Sequence, residues 1–220
     1  MQTVLITGAN RGIGLALCKT YLAQGWQVIG VCRNASPELT ETGARVIAGV
    51  DVTDPIALNN LADTLTGKKL DLLINNAGVL QREALGNIDY SSIEHQFNIN
   101  AVAPLRVTEA LLGSLQRGSK IAFITSRMGS IADNTSGAYY GYRMSKAALN
   151  AAAMSLARDL HPKGIAVAIL HPGYVQTAMV NFGGDISAEE SAQRLSQRIE
   201  GLTLETTGTF WHSNGDTLPW

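Results

Sequence analysis

The segment Thr3–Gly14, with the sequence TVLITGANRGIG, decides the fold of this 220-residue chain. Its first five residues, Thr3–Thr7, form a short apolar run with β-branched side chains, which predicts a buried β-strand. A glycine-rich turn follows, and after Gly14 apolar residues recur at helical spacing up to about Gly25. A strand, a glycine-rich turn and a helix in this order form the context that a phosphate-binding loop needs.

The glycine-rich turn is therefore the first candidate site. Glycines let the backbone approach a pyrophosphate, and the start of the following helix offers free N–H groups with a partial positive charge. The alternative is a tight turn with no ligand, and the spacing Gly-x-x-x-Gly-x-Gly differs from the commoner Gly-x-Gly-x-x-Gly. We predict that a dinucleotide binds to this turn at Gly8, Asn10, Arg11, Gly12, Ile13 and Gly14.

Strand-like and helical segments alternate along the rest of the chain. Strands are predicted at 3–7, 26–32, 45–50, 70–74, 120–125, 165–170 and 207–212, and the main helices at 15–25, 54–66, 91–117, 137–161 and 187–200. This alternation predicts an α/β fold, a doubly wound, Rossmann-like parallel sheet of about seven strands. No linker divides the chain, so we expect one dinucleotide-binding domain, residues 1–220, that also holds any catalytic residues.

Composition excludes several classes of function. The net charge is −1, charged residues make up 16%, and no basic run is present, which argues against nucleic acid and membrane partners. The N-terminus enters a strand directly without a basic or apolar leader, so we expect a cytoplasmic protein. Cys18 and Cys32 lie in apolar contexts without metal-ligand spacing, which predicts reduced buried thiols and no metal site.

The end of the second strand indicates which dinucleotide binds. In dinucleotide folds an acidic residue about 20 positions after the glycines takes the ribose 2′-hydroxyl. Arg33 and Asn34 stand there instead, and Arg11 lies within the glycine turn. Guanidinium groups suit a 2′-phosphate through charge-assisted hydrogen bonds, so we predict NADP(H) rather than NAD(H). The alternative is that both arginines are ordinary solvated surface residues.

Further polar residues follow the predicted strands. Asp51 and Val52 could reach an adenine edge, and Asn76, Ala77 and Gly78 follow the fourth strand, where short side chains can shape a crevice wall against a ribose. An ordinary turn is the alternative for that last group. After the sixth strand, the backbone and the Thr177 hydroxyl could hold a carboxamide. These segments supply the predicted cofactor contacts Asp51, Val52, Asn76, Ala77, Gly78, Pro172, Gly173, Val175 and Thr177.

The predicted helix 137–161 carries Tyr142 and Lys146, four residues apart and therefore on one face. A cation beside a phenol favours the phenolate, so we expect Lys146 to lower the pKa of Tyr142 and make it a general acid–base near pH 7. A chance Tyr-x-x-x-Lys pair is the alternative. Ser126, at the end of the fifth strand, could hydrogen-bond a substrate oxygen, or it could simply stabilise a turn.

Asn100 lies in the predicted helix 91–117, shortly before Pro104. A proline this deep in a helix removes one backbone hydrogen bond and kinks the helix. The amide of Asn100 could stabilise the kink or hold a water molecule. A satisfied buried asparagine or an N-cap is the alternative.

Taken together, these motifs closely resemble the short-chain dehydrogenase/reductase family over nearly the whole chain. The resemblance depends on Thr7–Gly14, Asp51, Asn75–Gly78, Asn100, Ser126, Tyr142 with Lys146, and Pro172–Thr177, in the family's order. Met128–Ile131 and the Phe210–Trp220 tail are most similar to C-factor-like and carbonyl-reductase-like members. Two departures are visible, because the Ser126–Tyr142 interval is about three residues longer than usual and the lid segment 178–186 is short.

The resemblance implies a role for each matching residue. Tyr142 would be the general acid–base, and Lys146 would lower its pKa and hold the nicotinamide ribose. Ser126 would bind the substrate oxygen, and Asn100 would support a water-mediated proton path. The implied activity is NADP(H)-dependent interconversion of a small-molecule carbonyl and alcohol. Since the helices of Asn100 and Tyr142 form the usual dimer face in this family, a homodimer or homotetramer is implied. An NADP(H)-binding regulatory or signalling protein with little turnover is the alternative.

Overall fold

The protein, described by a computed structural model of residues 1–220, contains one sheet of seven parallel strands in the order β3-β2-β1-β4-β5-β6-β7. The strands are β1 (Thr3–Thr7), β2 (Gln27–Val31), β3 (Arg45–Ile47), β4 (Leu70–Asn75), β5 (Leu115–Ile124), β6 (Ala166–His171) and β7 (Phe210–His212). The order steps outward in both directions from β1, so the predicted doubly wound parallel sheet is confirmed.

Seven α-helices cover the sheet. They are α1 (Gly12–Ala23), α2 (Pro37–Thr40), α3 (Pro55–Thr64), α4 (Tyr90–Phe97), α5 (Ala103–Ala110), α6 (Tyr140–Leu160) and α7 (Ala188–Glu200). None of them combines the length and apolar composition needed to cross a lipid bilayer. Two begin with side-chain caps, since Asp54 Oδ1 accepts from Ile56 N–H at 2.9 Å and Ser187 Oγ accepts from Glu190 N–H at 3.0 Å.

The hydrophobic core forms two layers, one on each face of the sheet. Alternation along β1 shows the division, because Leu5 packs into one cluster and Val4 and Ile6 pack into the other. The first cluster includes side chains of α3, α5 and α6, and the second includes those of α1 and α7. Strands covered on both faces are nearly all apolar, which explains the mostly apolar sequence of β4, where Asp71 and Asn75 are the polar residues.

The predicted helix 91–117 is wrong in two respects. It is divided into α4, a π turn at Asn98–Val102 and α5, and Pro104 lies in the first turn of α5, directly after the π turn. It also ends early, because a 3₁₀ turn at Leu112–Ser114 leads into β5, whose first residue Leu115 pairs with Leu70. The short helix α2 was not predicted, and β2 and β3 are shorter than the predicted strands.

Candidate active site

A cleft of about 1170 Å³ runs along the carboxyl ends of the strands. The location follows from the topology, since neighbouring strands on either side of β1 have their connections on opposite faces and leave a crevice there. Sixteen of the predicted cofactor-binding residues line it: Gly8, Asn10, Arg11, Gly12, Ile13, Gly14, Arg33, Asp51, Val52, Asn76, Ala77, Gly78, Tyr142, Lys146, Pro172 and Thr177. The structure therefore brings together residues from six segments of the chain.

The glycine-rich turn leaves no room for side chains. A Cβ on Gly8, whose φ is +67°, would lie 2.9 Å from the Cα of Ala77, and a Cβ on Gly14 would overlap the Gly8 carbonyl oxygen. Gly12 has a φ of +53°, and a Cβ there would lie 3.3 Å from Thr177 Cγ2. Glycine is required because the Ala77 backbone, the Gly8 carbonyl and the Thr177 side chain approach these three positions closely.

Thr7 and Asn76 fix this turn against the end of β4. The Thr7 hydroxyl accepts from the N–H groups of Asn76 at 3.0 Å and Ala77 at 3.1 Å. In return the Asn76 amide donates to the carbonyls of Thr7 at 3.0 Å and Gly8 at 3.3 Å. Asn76 thus shapes the cleft through the glycine turn, a function that its position after a strand did not by itself reveal.

Two exposed arginines border the cleft, Arg11 within the glycine turn and Arg33 after the end of β2. Arg11 and Arg33 both line it, and neither forms a salt bridge. Asp51 Oδ1 accepts from the backbone N–H of Thr53 at 2.8 Å and from its hydroxyl at 2.7 Å. These hydrogen bonds, with a smaller contribution from the Arg33 charge, hold the pKa of Asp51 below its ordinary value.

Tyr142 and Lys146 lie in the first two turns of α6, and both side chains reach the cleft. Tyr142 is 8% exposed and Lys146 is 4% exposed, so each polar group is largely removed from water. The Lys146 ammonium donates to the Ile124 carbonyl at 2.9 Å and lies 5.7 Å from the centroid of the Tyr142 ring. The predicted pairing of a phenol and an ammonium at one edge of the cleft is present.

The predicted lowering of the Tyr142 pKa is wrong for the protein without a bound cofactor. Burial raises the pKa of Tyr142 to about 12, and a hydrogen bond from Ser126 opposes that rise. Burial also lowers the pKa of Lys146 to about 8. The sequence argument considered only the attraction between phenolate and ammonium, whereas the cost of removing each charge from water is larger here.

Ser126 lies two residues after β5, is 7% exposed and does not itself line the cleft. Its Oγ accepts from Met128 N–H at 3.1 Å, which begins a 3₁₀ turn, Arg127–Gly129. A Cβ on Gly129 would lie 2.7 Å from the carbonyl carbon of Lys146, so this turn packs directly on the backbone of α6. The residues that lengthen the Ser126–Tyr142 interval therefore bulge outward from the fold. Ser126 remains beside Tyr142, as the longer interval requires.

Asn100 is fully buried in the π turn and does not line the cleft. Its Oδ1 accepts from Val79 N–H at 2.9 Å, and its Nδ2 donates to the Val79 carbonyl at 2.8 Å and to Ser145 Oγ at 3.0 Å. A Cβ on Gly78 would lie 3.1 Å from Asn100 Oδ1 and 3.7 Å from Lys146 Nζ. Asn100 therefore joins the wall of the cleft to α6 next to Lys146.

The segment after β6 divides into two parts. Pro172 and Thr177 line the cleft, whereas the predicted contacts Gly173 and Val175 do not. Val175 is 5% exposed and pairs with Ile186, and Gly173, with a φ of +97°, packs against the Ile186 side chain. These two residues hold the loop in place rather than forming the wall, because both pack against Ile186.

Sequence reasoning missed several residues of the cleft wall, namely Val79, Leu80, Gln81, His95, Met179 and Phe182. Met179 is 45% exposed and Phe182 is 68% exposed, so both present apolar surface at the mouth. Large apolar residues in a short glycine-containing loop are a usable signal for a binding surface. Val79–Gln81 carry no such signal, since only the folded sheet places them beside Lys146.

Residues 2–191 match the family model described as short chain dehydrogenase. The chain is 40% identical over 226 residues to 1-hydroxy-2-glutathionyl-2-methyl-3-butene dehydrogenase of Rhodococcus sp. (strain AD45), with all of both chains covered. It is 47% identical over 154 residues to the C-signal protein of Myxococcus xanthus, which covers 69% of this chain and 93% of that protein.

Among solved structures, the NADPH-bound carbonyl reductase from chicken fatty liver superposes with a TM-score of 0.91 at 29% identity. The alignment covers 100% of this chain and 99% of that one. The resemblance inferred from the motifs, including the similarity to C-factor-like and carbonyl-reductase-like proteins, is confirmed by these matches.

Proposed function

The chain belongs to the short-chain dehydrogenase family of oxidoreductases, and on that premise we propose that it uses NADP(H) to interconvert a carbonyl and an alcohol. The observation that carries the proposal is the placement of Tyr142 and Lys146 at the edge of the cleft that the glycine turn borders. In this proposal one domain, residues 1–220, binds both cofactor and substrate in the cytoplasm.

The cleft fits a dinucleotide. The glycine turn has backbone where side chains would block a pyrophosphate, and it opens directly onto the N-terminus of α1. Arg11 and Arg33 would hold a 2′-phosphate, Asp51 and Val52 an adenine, and Asn76 to Gly78 a ribose. Lys146 would hold the nicotinamide ribose and Thr177 the carboxamide, beside Pro172. When bound, NADPH supplies the hydride that reaches the carbonyl carbon.

Tyr142 supplies the proton in the direction of reduction. With a pKa of about 12 the phenol is neutral at pH 7 and therefore holds the proton that the carbonyl oxygen needs. Ser126 donates a hydrogen bond to the same oxygen and orients it. Lys146, with a pKa of about 8, is mostly protonated at pH 7, so its charge stabilises the phenolate that remains. Asn100 keeps Val79 and α6 in register and supports the return of a proton to Tyr142.

The direct test is Tyr142→Phe, which removes the proton and keeps the ring. We expect kcat for carbonyl reduction to fall by about 10²-fold or more, while the Kd of NADPH stays unchanged. Stopped-flow NADPH oxidation and fluorescence titration measure the two quantities. Turnover near the wild-type value in this variant would refute the proposed role of Tyr142.

Cofactor preference has its own test. A charge-assisted hydrogen bond contributes about 1.5–3 kcal/mol, so Arg33→Asp should weaken NADPH binding by roughly 10–100-fold and leave NADH binding equal or better. Arg158→Asp, on the exposed last turn of α6, is the matched control and should change neither Kd. An unchanged NADPH to NADH ratio in Arg33→Asp would contradict the assignment to NADP(H).

We also propose a homodimer or homotetramer formed through the faces of α4, α5 and α6. Phe97, Leu105 and Met144 are 39%, 41% and 52% exposed on these helices. Light scattering at micromolar concentration measures the assembly, and a monomeric mass would contradict it.

The second candidate is an NADP(H)-binding signalling protein with little turnover, favoured by the 47% identity with the C-signal protein. A panel of ketones, aldehydes and quinones separates the two functions. Turnover with any of them supports the enzyme, whereas NADPH binding without turnover supports the signalling protein.

A further inference from the structure

A buried carboxylate, outside the residues discussed so far, lies at the start of the helix that carries Tyr142. Glu83 is 2% exposed and forms no salt bridge. A buried charge without a counterion is costly unless hydrogen bonds compensate it, so its partners indicate what it does.

Three donors converge on this carboxylate. Oε1 accepts from Ser92 Oγ at 2.7 Å and from Gln96 Nε2 at 2.6 Å, both on α4. Oε2 accepts from the backbone N–H of Gly141 at 3.1 Å, one residue before Tyr142. The first N–H groups of a helix lack intrahelical partners, and Tyr139, the residue before α6, provides no side-chain cap. Glu83 provides that cap from another segment, with its negative charge at the favourable end of the helix.

The backbone around this contact is strained. Ala138 and Tyr139 both have positive φ, 52° and 53°, although neither is glycine. The Glu83 carbonyl accepts from Tyr139 N–H at 2.9 Å, so the same residue holds both the strained turn and the first turn of the helix. Backbone of this kind persists only where surrounding contacts enforce it, and it concentrates at functional sites.

No side chain replaces Gly141 without disturbing the contact. A Cβ there would lie 2.6 Å from Gln96 Nε2 and 3.2 Å from Glu83 Oε1. Both polar atoms of the Gln96 amide form hydrogen bonds, since its Oε1 also accepts from Gln81 N–H at 2.9 Å in the wall of the cleft. The network therefore joins the cleft wall, α4 and the start of α6 through buried hydrogen bonds.

We propose that Glu83 is a positioning residue that fixes the first turn of α6 and thereby the Tyr142 hydroxyl relative to the cleft. The inference rests on the proposed function for its catalytic consequence. The structural part, that Glu83 holds residues 139–142 in place, is independent of any reaction.

Glu83→Gln tests the proposal because it keeps the size of the side chain and replaces one acceptor oxygen with an NH₂ donor. A carboxylate accepts from all three donors, whereas a glutamine must present its NH₂ group either to Gly141 N–H or to Ser92 and Gln96. We expect hydrogen exchange of the peptide containing residues 139–142 to accelerate, and kcat to fall by about 10-fold while the Kd of NADPH is unchanged.

Asp89→Asn is the matched control. Asp89 Oδ1 accepts from Ser92 N–H at 3.1 Å at the start of the same α4, but it is exposed and its side chain forms no hydrogen bond with α6. The control should lower the melting temperature slightly and leave exchange at 139–142 and kcat unchanged.

Exchange at 139–142 decides the structural claim. Unchanged exchange in folded Glu83→Gln overturns the proposal, and so does normal kcat in an enzyme whose Tyr142→Phe variant is inactive.

If Glu83→Gln does not fold, Ser92→Ala removes one donor and keeps the carboxylate, and it should show the same changes to a smaller degree. Unchanged exchange and kcat in Ser92→Ala would then overturn the proposal. If wild-type protein reduces no carbonyl, the proposed function fails while the exchange experiment still decides the role of Glu83.

Discussion

Replacing Lys146 with methionine should stabilise the cofactor-free protein at neutral pH. Lys146 is 4% exposed, and burial lowers its pKa from 10.5 to about 8. Its single hydrogen bond to the protein, to the Ile124 carbonyl at 2.9 Å, does not offset the loss of hydration. Methionine has a similar length and no charge, so the variant removes the cost of burying the ammonium.

The sign and size of the effect follow from linkage. Because the folded protein holds this proton less tightly than the unfolded chain, the destabilisation is complete below pH 8 and disappears as the pH rises towards 10.5. A shift from 10.5 to about 8 corresponds to roughly 3 kcal/mol, of which about 2 kcal/mol is lost between pH 7 and pH 9.5. The Met variant leaves the Ile124 carbonyl unpaired, which adds an offset that does not depend on pH.

Urea unfolding of both proteins at pH 7 and pH 9.5 measures this difference. The free energy of unfolding of Lys146→Met relative to wild type should decrease by about 2 kcal/mol over that interval. Comparing the two proteins cancels other groups that titrate there, such as Cys18, whose pKa burial raises to about 12. A difference that does not change with pH would show that Lys146 has an ordinary pKa and would refute the electrostatic description of the site.

Two further predictions concern the glycine turn. Gly14→Ala places a Cβ on the Gly8 carbonyl oxygen, so it should destabilise the protein by about 1–3 kcal/mol and weaken NADPH binding, whereas Gly113→Ala, in open space, should do neither. Normal NADPH affinity in Gly14→Ala would contradict the proposal that the glycine turn binds the pyrophosphate. Thr7→Val leaves the N–H groups of Asn76 and Ala77 without their acceptor and should cost about 2–4 kcal/mol in urea unfolding, whereas Thr7→Ser keeps the hydroxyl and should cost less. Equal losses in the two Thr7 variants would show that the hydroxyl is not the stabilising group.

The sequence predicted the parts of the site that depend on neighbours along the chain. The glycine turn is a strand–turn–helix unit, and Tyr142 and Lys146 share one helical face, so both could be derived from spacing alone. The parallel, doubly wound sheet followed from the alternation of strands and helices. These local patterns, together with the residues that follow the strands and the family resemblance, identified sixteen residues of the cleft wall.

What the sequence did not predict depends on burial and on contacts between distant segments. The Tyr142 pKa rises rather than falls because its surroundings exclude water, and no local pattern reports that. The end of α5 was misplaced because Leu115 pairs with Leu70, a partner 45 residues away. Gly173 and Val175 were assigned to the wall because the sequence does not show which residues of the loop face inward.

The central position of β1 has a consequence for how the protein is made. This strand pairs with β2 on one side and with β4 on the other, where Leu5 lies opposite Leu73. A nascent chain therefore carries an open, largely apolar strand edge until β4 has left the ribosome. Such edges pair with other chains when exposed. We therefore expect slow synthesis between the emergence of β1 and the emergence of β4 to lower the yield of folded protein, and chaperone binding to be strongest in that interval.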